Sequence, residues 1–160
     1  MNKTYLLSNA ITLNTTGVKY NATANPVKLG EINKNKHHFT FDFAVLAKQG
    51  KTVYKLCREG DDDIWQGAVA FEPSIGILDC YNMEAASINK KPILLYDGVG
   101  KAMVALYCKV SYDLGFDGFI TFEAKTNLMA YYKRLGAVNV FGLRMAINDI
   151  NAKKLIDLYF

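Results

Sequence analysis

A change of hydrophobic period near residue 98 constrains this chain more than any other feature. Upstream, Val53–Cys57, Ile64–Phe71 and Ile77–Met83 are short β-type runs, parted by the turn signals Gly60-Asp61-Asp62-Asp63 and Pro73–Gly76. Such runs predict three antiparallel strands in a meander. Downstream, Val99, Met103, Leu106, Val110 and Leu114 fall on one face of an α-helix, and Gly115 supplies the left-handed residue that ends it. Phe119–Phe122 then reads as a strand. A strand–helix–strand passage implies a parallel pair joined by a right-handed crossover.

The remaining signals complete a mixed architecture. Thr126 is placed to cap a second helix carrying Leu128, Tyr131, Tyr132 and Leu135, with Gly136 closing it. Val138–Phe141 and Leu143–Ile147 predict a terminal hairpin around Gly142, and Asp149 is placed to cap a last helix through Leu155, Ile156 and Tyr159. The polar stretch 12–38 reads as loops with one irregular helix. Phe39-Thr40-Phe41-Asp42-Phe43 alternates like a strand, but Val45-Leu46-Ala47 breaks the period, so its type stays open. The expected fold class is α/β (α+β), a mixed, mostly antiparallel sheet with flanking helices. The 160 residues match the size of one domain, spanning 1–160.

Composition excludes several classes. Apolar residues make up 51 % and charged residues 21 %, so the chain can bury a core without disulfides or metal. The net charge of +4 favours an anionic small ligand, while the scatter of basic residues argues against a nucleic-acid partner. Cys57, Cys80 and Cys108 are odd in number and widely spaced, as expected of buried reduced thiols. His37-His38 has no partner at metal-ligand spacing. Met1–Asn14 lacks the pattern of a signal peptide and no run is long enough to span a bilayer, so a cytoplasmic location is expected.

Tyr96-Asp97-Gly98-Val99-Gly100-Lys101-Ala102 follows a strand signal and opens the long helix. The first turn of a helix presents unpaired N–H groups and partial positive charge, and glycine lets a phosphate approach the backbone. Two familiar phosphate motifs fail here. A Walker A loop needs Gly at 95 and Ser or Thr at 102, where the chain has Leu95 and Ala102. A dinucleotide fingerprint needs a third glycine where Met103 stands.

From Trp65 to Ala137 the chain instead resembles the GNAT N-acyltransferase superfamily. The likeness rests on the order of elements, the Gly98-Val99-Gly100 turn, Leu114-Gly115-Phe116 after the helix, and Ala130-Tyr131-Tyr132-Lys133-Arg134-Leu135-Gly136-Ala137, which is similar to the close of that family's cofactor region. Glu84-Ala85-Ala86-Ser87-Ile88-Asn89 also resembles the strand-end Glu and following Asn of some members. Leu95 and Ala137 depart from the family pattern, which usually has a polar residue and an aromatic there.

The resemblance implies acetyl-CoA as co-substrate, a cofactor region of about 77–137, and direct transfer of acetyl to a primary amine. It implies that Asp97, Gly98, Val99, Gly100, Lys101 and Ala102 hold the pyrophosphate. Met83 would lie on the strand paired with the pantetheine arm, and Thr126 or Asn127 would contact that arm. Tyr132 would protonate the leaving thiolate, with Tyr131 its competitor, and Glu84 would be the base through water. Two rival readings stand beside this one: a catalytically inactive CoA- or protein-binding module, and a toxin-like aminoacyl-tRNA acetyltransferase. Phe39, Phe41, Phe43 and Trp65 are expected mostly in the core, and the terminal hairpin with Phe141 offers a surface for a homodimer.

Overall fold

The computed structural model describes residues 3–160; Met1 and Asn2, part of the segment read above for a leader, lie outside the described residues. In chain order the elements are β1 (Tyr5–Leu13), β2 (Lys19–Pro26), α1 (Leu29–Asn35), α2 (Phe43–Lys48), β3 (Thr52–Arg58), β4 (Trp65–Pro73), β5 (Leu78–Ala85), β6 (Tyr96–Asp97), α3 (Val99–Asp113), β7 (Ile120–Glu123), α4 (Met129–Arg134), β8 (Val138–Phe141), β9 (Arg144–Ile147) and α5 (Asp149–Tyr159). The strands form one sheet in the order β6-β1-β2-β3-β4-β5-β7-β9-β8. Among these pairings only β5 with β7 is parallel, and α3 makes the crossover between them.

Each face of the sheet has its own apolar cluster. The larger holds α3 and α5 against Leu7, Leu56, Val69 and Phe71. The smaller holds α1 and α2 against Val53, Cys57, Trp65, Ala68 and Ala70. Strand β4 is therefore covered on both sides, which explains why its sequence is a continuous apolar run rather than an alternation.

Several sequence expectations need correction. The stretch 12–38 contains a whole strand, β2, besides α1 and the end of β1. Strand β2 buries Ala22 and Ala24 in the core and packs a half-buried Tyr20 at its margin, so its inward face carries little aliphatic signal. Phe39–Phe43, whose type the sequence leaves open, is not a strand. Asp42 caps α2 by accepting the Ala44 N–H at 3.0 Å, and Phe39 and Phe41 pack their rings on Phe43. Thr126 opens a 3-10 turn and caps nothing; α4 starts at Met129 without a side-chain cap. The last helix is capped by Asn148, which accepts the Asn151 N–H at 2.9 Å, and Asp149 is its first residue. Gly115 and Gly136 do end their helices, at φ +87° and +102°.

The β4–β5 ladder carries a bulge. Ala70 opposes Asn82 and Phe71 opposes Cys80, leaving Tyr81 unmatched. The parallel β5–β7 ladder stops at the same place, its last pair being Cys80 with Phe122. Tyr107, on α3 and buried, brings its hydroxyl to 2.6 Å from the Asn82 carbonyl and 3.1 Å from that of Ala70. One phenolic proton serves two carbonyls at the bulge. Tyr107→Phe leaves both without that donor and is expected to lower stability by about 1–3 kcal/mol, read as a shift in the urea midpoint; an unchanged midpoint would show that the bulge does not depend on this hydroxyl. No helix of the described residues is long and apolar enough to cross a membrane.

Candidate active site

Beyond Cys80, strands β5 and β7 diverge, and a cavity of about 420 Å³ opens between them. Its walls come from β5 (Met83, Glu84), α3 (Gly100, Met103), the end of β7 and the face of α4 that carries Tyr131 and Tyr132. The lining is mostly apolar, and the free edge of β5 offers unpaired backbone groups along it.

The glycine turn stands at one end. Gly98 is the N-cap of α3 at φ +87°, and a Cβ there would sit 3.0 Å from the Ala10 carbonyl. That left-handed residue turns the chain out of β6 directly into the helix. The next N–H groups, of Val99, Gly100 and Lys101, have no carbonyl one turn behind them. Tyr131 packs over Gly100, its hydroxyl 3.3 Å from where a Cβ would stand. The backbone from Gly98 to Lys101 is thus shaped to face an anion.

The candidate residues separate on this frame. Met83 and Gly100 line the cavity, whereas Asp97 is exposed on β6, and Lys101 faces a neighbouring cleft. Val99 and Ala102 turn their side chains into the core; Val99 keeps a backbone N–H to offer, but that of Ala102 already donates to the Gly98 carbonyl at 3.0 Å, so Ala102 has no free donor for an anion. Asn127 is exposed in the 3-10 turn and does not line the cavity; Lys125 and Leu128 on either side do.

Tyr132 is 8 % exposed and sits edge-on to Phe122 and Tyr131. Burial, with a smaller effect of neighbouring Tyr131, pushes its phenol up to about 12. The hydroxyl therefore keeps its proton at neutral pH and can always act as a donor. Tyr131 is raised by burial too, but it lies against Gly100 and beneath Arg134, nearer the anion end.

Glu84 is already engaged. Its carboxylate accepts the N–H of Thr40 and of Phe41, each at 2.8 Å, and pairs with Lys90. Burial alone would raise its carboxyl, but the hydrogen bonds from Lys90, Thr40 and Phe41 outweigh burial and hold it below the usual value. Glu84 is thus a fixed anion that ties β5 to the segment before α2. A second carboxylate in the lining, Glu123 at the end of β7, is exposed and makes no ion pair among the described residues. Sequence reasoning missed Glu123, because nothing local distinguishes it from any strand-end Glu.

The thiols are quiet. All three cysteines are free and buried, and burial holds Cys80, the one lining the cavity, well above the ordinary thiol value. The described residues hold no cluster that could ligate a metal, and His37 and His38 stack on each other at 3.9 Å.

No protein-family model matches the chain, and no curated protein sequence does. Solved structures do match in shape. An IAA acetyltransferase from Bacillus cereus aligns with a TM-score of 0.59 at 13 % identity, over 79 % of this chain and 98 % of that one. The ribosomal-protein-S18-alanine N-acetyltransferase of Escherichia coli aligns with a TM-score of 0.59 at 12 % identity, over 79 % and 92 %. AtaT complexed with acetyl-methionyl-tRNAfMet aligns with a TM-score of 0.62 at 14 % identity, over 84 % and 98 %. The chain has the fold of the GNAT acetyltransferases.

Proposed function

We propose that this protein is an acetyl-CoA-dependent N-acetyltransferase that moves acetyl directly to a primary amine. The observation that carries the reading is the splay of the parallel β5–β7 pair into a cavity closed at one end by the Gly98–Ala102 turn. The residues present fit acetyl-CoA. A narrow apolar slot beside a free strand edge suits an amide-bearing arm, and the open helix N-terminus suits a pyrophosphate. AtaTR, which has a similar fold, has been solved with acetyl-CoA bound.

Acetyl-CoA supplies a thioester whose carbonyl carbon takes the amine and whose sulfur departs. The backbone of Gly98–Lys101 binds the anion, and Met83 with the free edge of β5 orients the arm. Tyr132 donates a hydrogen bond to the departing sulfur from inside the cavity. Its proton is held too tightly to pass freely to a thiolate, whose conjugate acid in water lies roughly near 8.5. The phenol therefore acts first by stabilising charge as it develops, in a site with little water to screen it.

We assign Glu84 the task of attracting the acceptor's ammonium and fixing the 39–42 segment, and Glu123 the task of taking its proton. The split follows from geometry: one carboxylate is saturated with donors, the other is free. The likeness to AtaT favours one particular acceptor as a second reading, the amine of an aminoacyl-tRNA.

Calorimetric titration with acetyl-CoA, with ATP and NAD as controls, tests the reading. Micromolar binding of acetyl-CoA alone is expected, followed by thiol release with an amine panel that includes aminoacyl-tRNA. Folded protein that binds none of the three ligands would rule the reading out.

A further inference from the structure

A second cleft, of about 330 Å³, lies across the wall of the active cavity. Gly100 lines the cavity and the next residue, Lys101, lines the cleft; Tyr131 lines the cavity and Arg134, one turn later on α4, lines the cleft. Lys154 of α5 completes it, and Leu135 and Leu155 give it an apolar floor. Asn151 fixes the third wall, because its amide donates to the Gly136 carbonyl at 3.2 Å and so docks α5 against the end of α4. Lys154 follows three residues on, on the same helical face.

This is a costly arrangement for an empty surface. Three cations converge with no acidic side chain in the lining, and none of the three forms an ion pair among the described residues. Lys101 also stands in the first turn of a fifteen-residue helix, where the dipole disfavours a cation. Arg134 in the last turn of α4 has an ordinary explanation in that helix's dipole; Lys101 has none. An anion of high charge density would relieve the repulsion on all sides.

We propose that this cleft is a phosphomonoester site that reads the 3′-phosphate of coenzyme A. The inference rests on the acetyl-CoA reading, and it adds a second recognition element beyond the glycine turn. A dinucleotide-like ligand whose pyrophosphate meets the N–H groups at Gly100 has its ribose phosphate beside that point, where Lys101 leads out of the cavity. A forked guanidinium and two ammonium groups supply charge-assisted hydrogen bonds to a phosphate dianion.

The test is calorimetric titration of the full chain with coenzyme A and with 3′-dephospho-coenzyme A. Coenzyme A is expected to bind about 10- to 100-fold more tightly, the range of one or two charge-assisted contacts. In Lys154→Ala that preference is expected to fall to a few-fold while the affinity for the dephospho form stays unchanged. Lys154 is exposed, so its loss leaves the fold intact. Lys153→Ala, which removes a cation already paired with Asp157, is expected to keep the full preference. Inorganic phosphate is expected to narrow the wild-type preference, since it competes for the same cleft. Equal affinity of the wild-type chain for both forms would overturn the 3′-phosphate site and leave the acetyl-CoA reading standing. Binding of neither would remove both. Phosphate that binds without narrowing the preference would mark the cleft as a site for free phosphate and also overturn the proposal.

Discussion

On the proposed acetyltransferase reading, replacing Tyr132 by Phe is expected to lower acetyl transfer by roughly a hundredfold, the usual scale for losing one hydrogen-bond donor to developing charge, and to leave acetyl-CoA affinity within about twofold. The ring stays, so its packing on Phe122 and Tyr131 and the shape of the cavity are kept. Only the hydroxyl goes, and no hydrogen bond from it figures among the causes that set its pKa, so its loss should not unsettle the fold. The measurement is thiol release with the best amine for the wild-type chain, beside a binding titration. Turnover equal to wild type would take Tyr132 out of the mechanism and direct attention to Tyr131. Tyr131→Phe is the companion variant, and its position over Gly100 ties it to ligand affinity rather than turnover.

The two carboxylates give the second large contrast. Glu123→Gln is expected to cut kcat/KM by about a hundredfold, as loss of a general base does. Glu84→Gln is expected to act differently, raising the KM for the amine and lowering stability by about 1.5–3 kcal/mol at pH 7, the scale of charged hydrogen bonds. The pH dependence has a definite sign. The carboxyl of Glu84 is held below its ordinary value of 4.5 in the folded chain. Its contribution is therefore complete above that value and is lost as pH falls through the lower, folded one. The stability gap between wild type and Glu84→Gln should close in acid below pH 4.5 and stay constant from there to neutrality. A hundredfold loss of kcat/KM in Glu84→Gln, with Glu123→Gln at wild-type kcat/KM, would reverse the two assignments.

What could be read from the sequence follows from how each element meets the core. Strands β3 to β5 and helix α3 were legible because their apolar spacing is strong and their turns carry Gly, Asp or Pro. Strands β1 and β2 were not. Asn9 takes a positive φ of 49° and β1 slips register between Leu7 and Ile11, so its alternation breaks midway. Strand β2 packs through alanines. The aromatic alternation at 39–43 left the element type open for a related reason: the rings pack on one another and on Trp65 rather than on opposite faces of a sheet. In the site, the glycine turn was visible because it is local. The engagement of Glu84 depends on residues 43 and 44 positions away, and the convergence of Lys101, Arg134 and Lys154 joins three helices. No single-sequence pattern encodes either.

The division of the apolar interior into a large and a small cluster sets a hierarchy of motion. Helices α1 and α2 span only 7 and 6 residues, and neither would hold together in isolation. They are kept in place by the small cluster and by two amide hydrogen bonds to a single carboxylate. The other face is secured by a 15-residue helix whose contacts run the length of the sheet. Opening the α1–α2 layer thus requires far less free energy than unfolding the chain, and leaves the strand splay and the glycine turn intact. On the acetyltransferase reading, which brings two substrates to one cavity, the side proposed to grip the first is the rigid one. Glu84, the carboxylate proposed to attract the second, is bonded to the segment before α2, so on that reading the traffic of acceptors is governed by the chain's weakest cooperative unit.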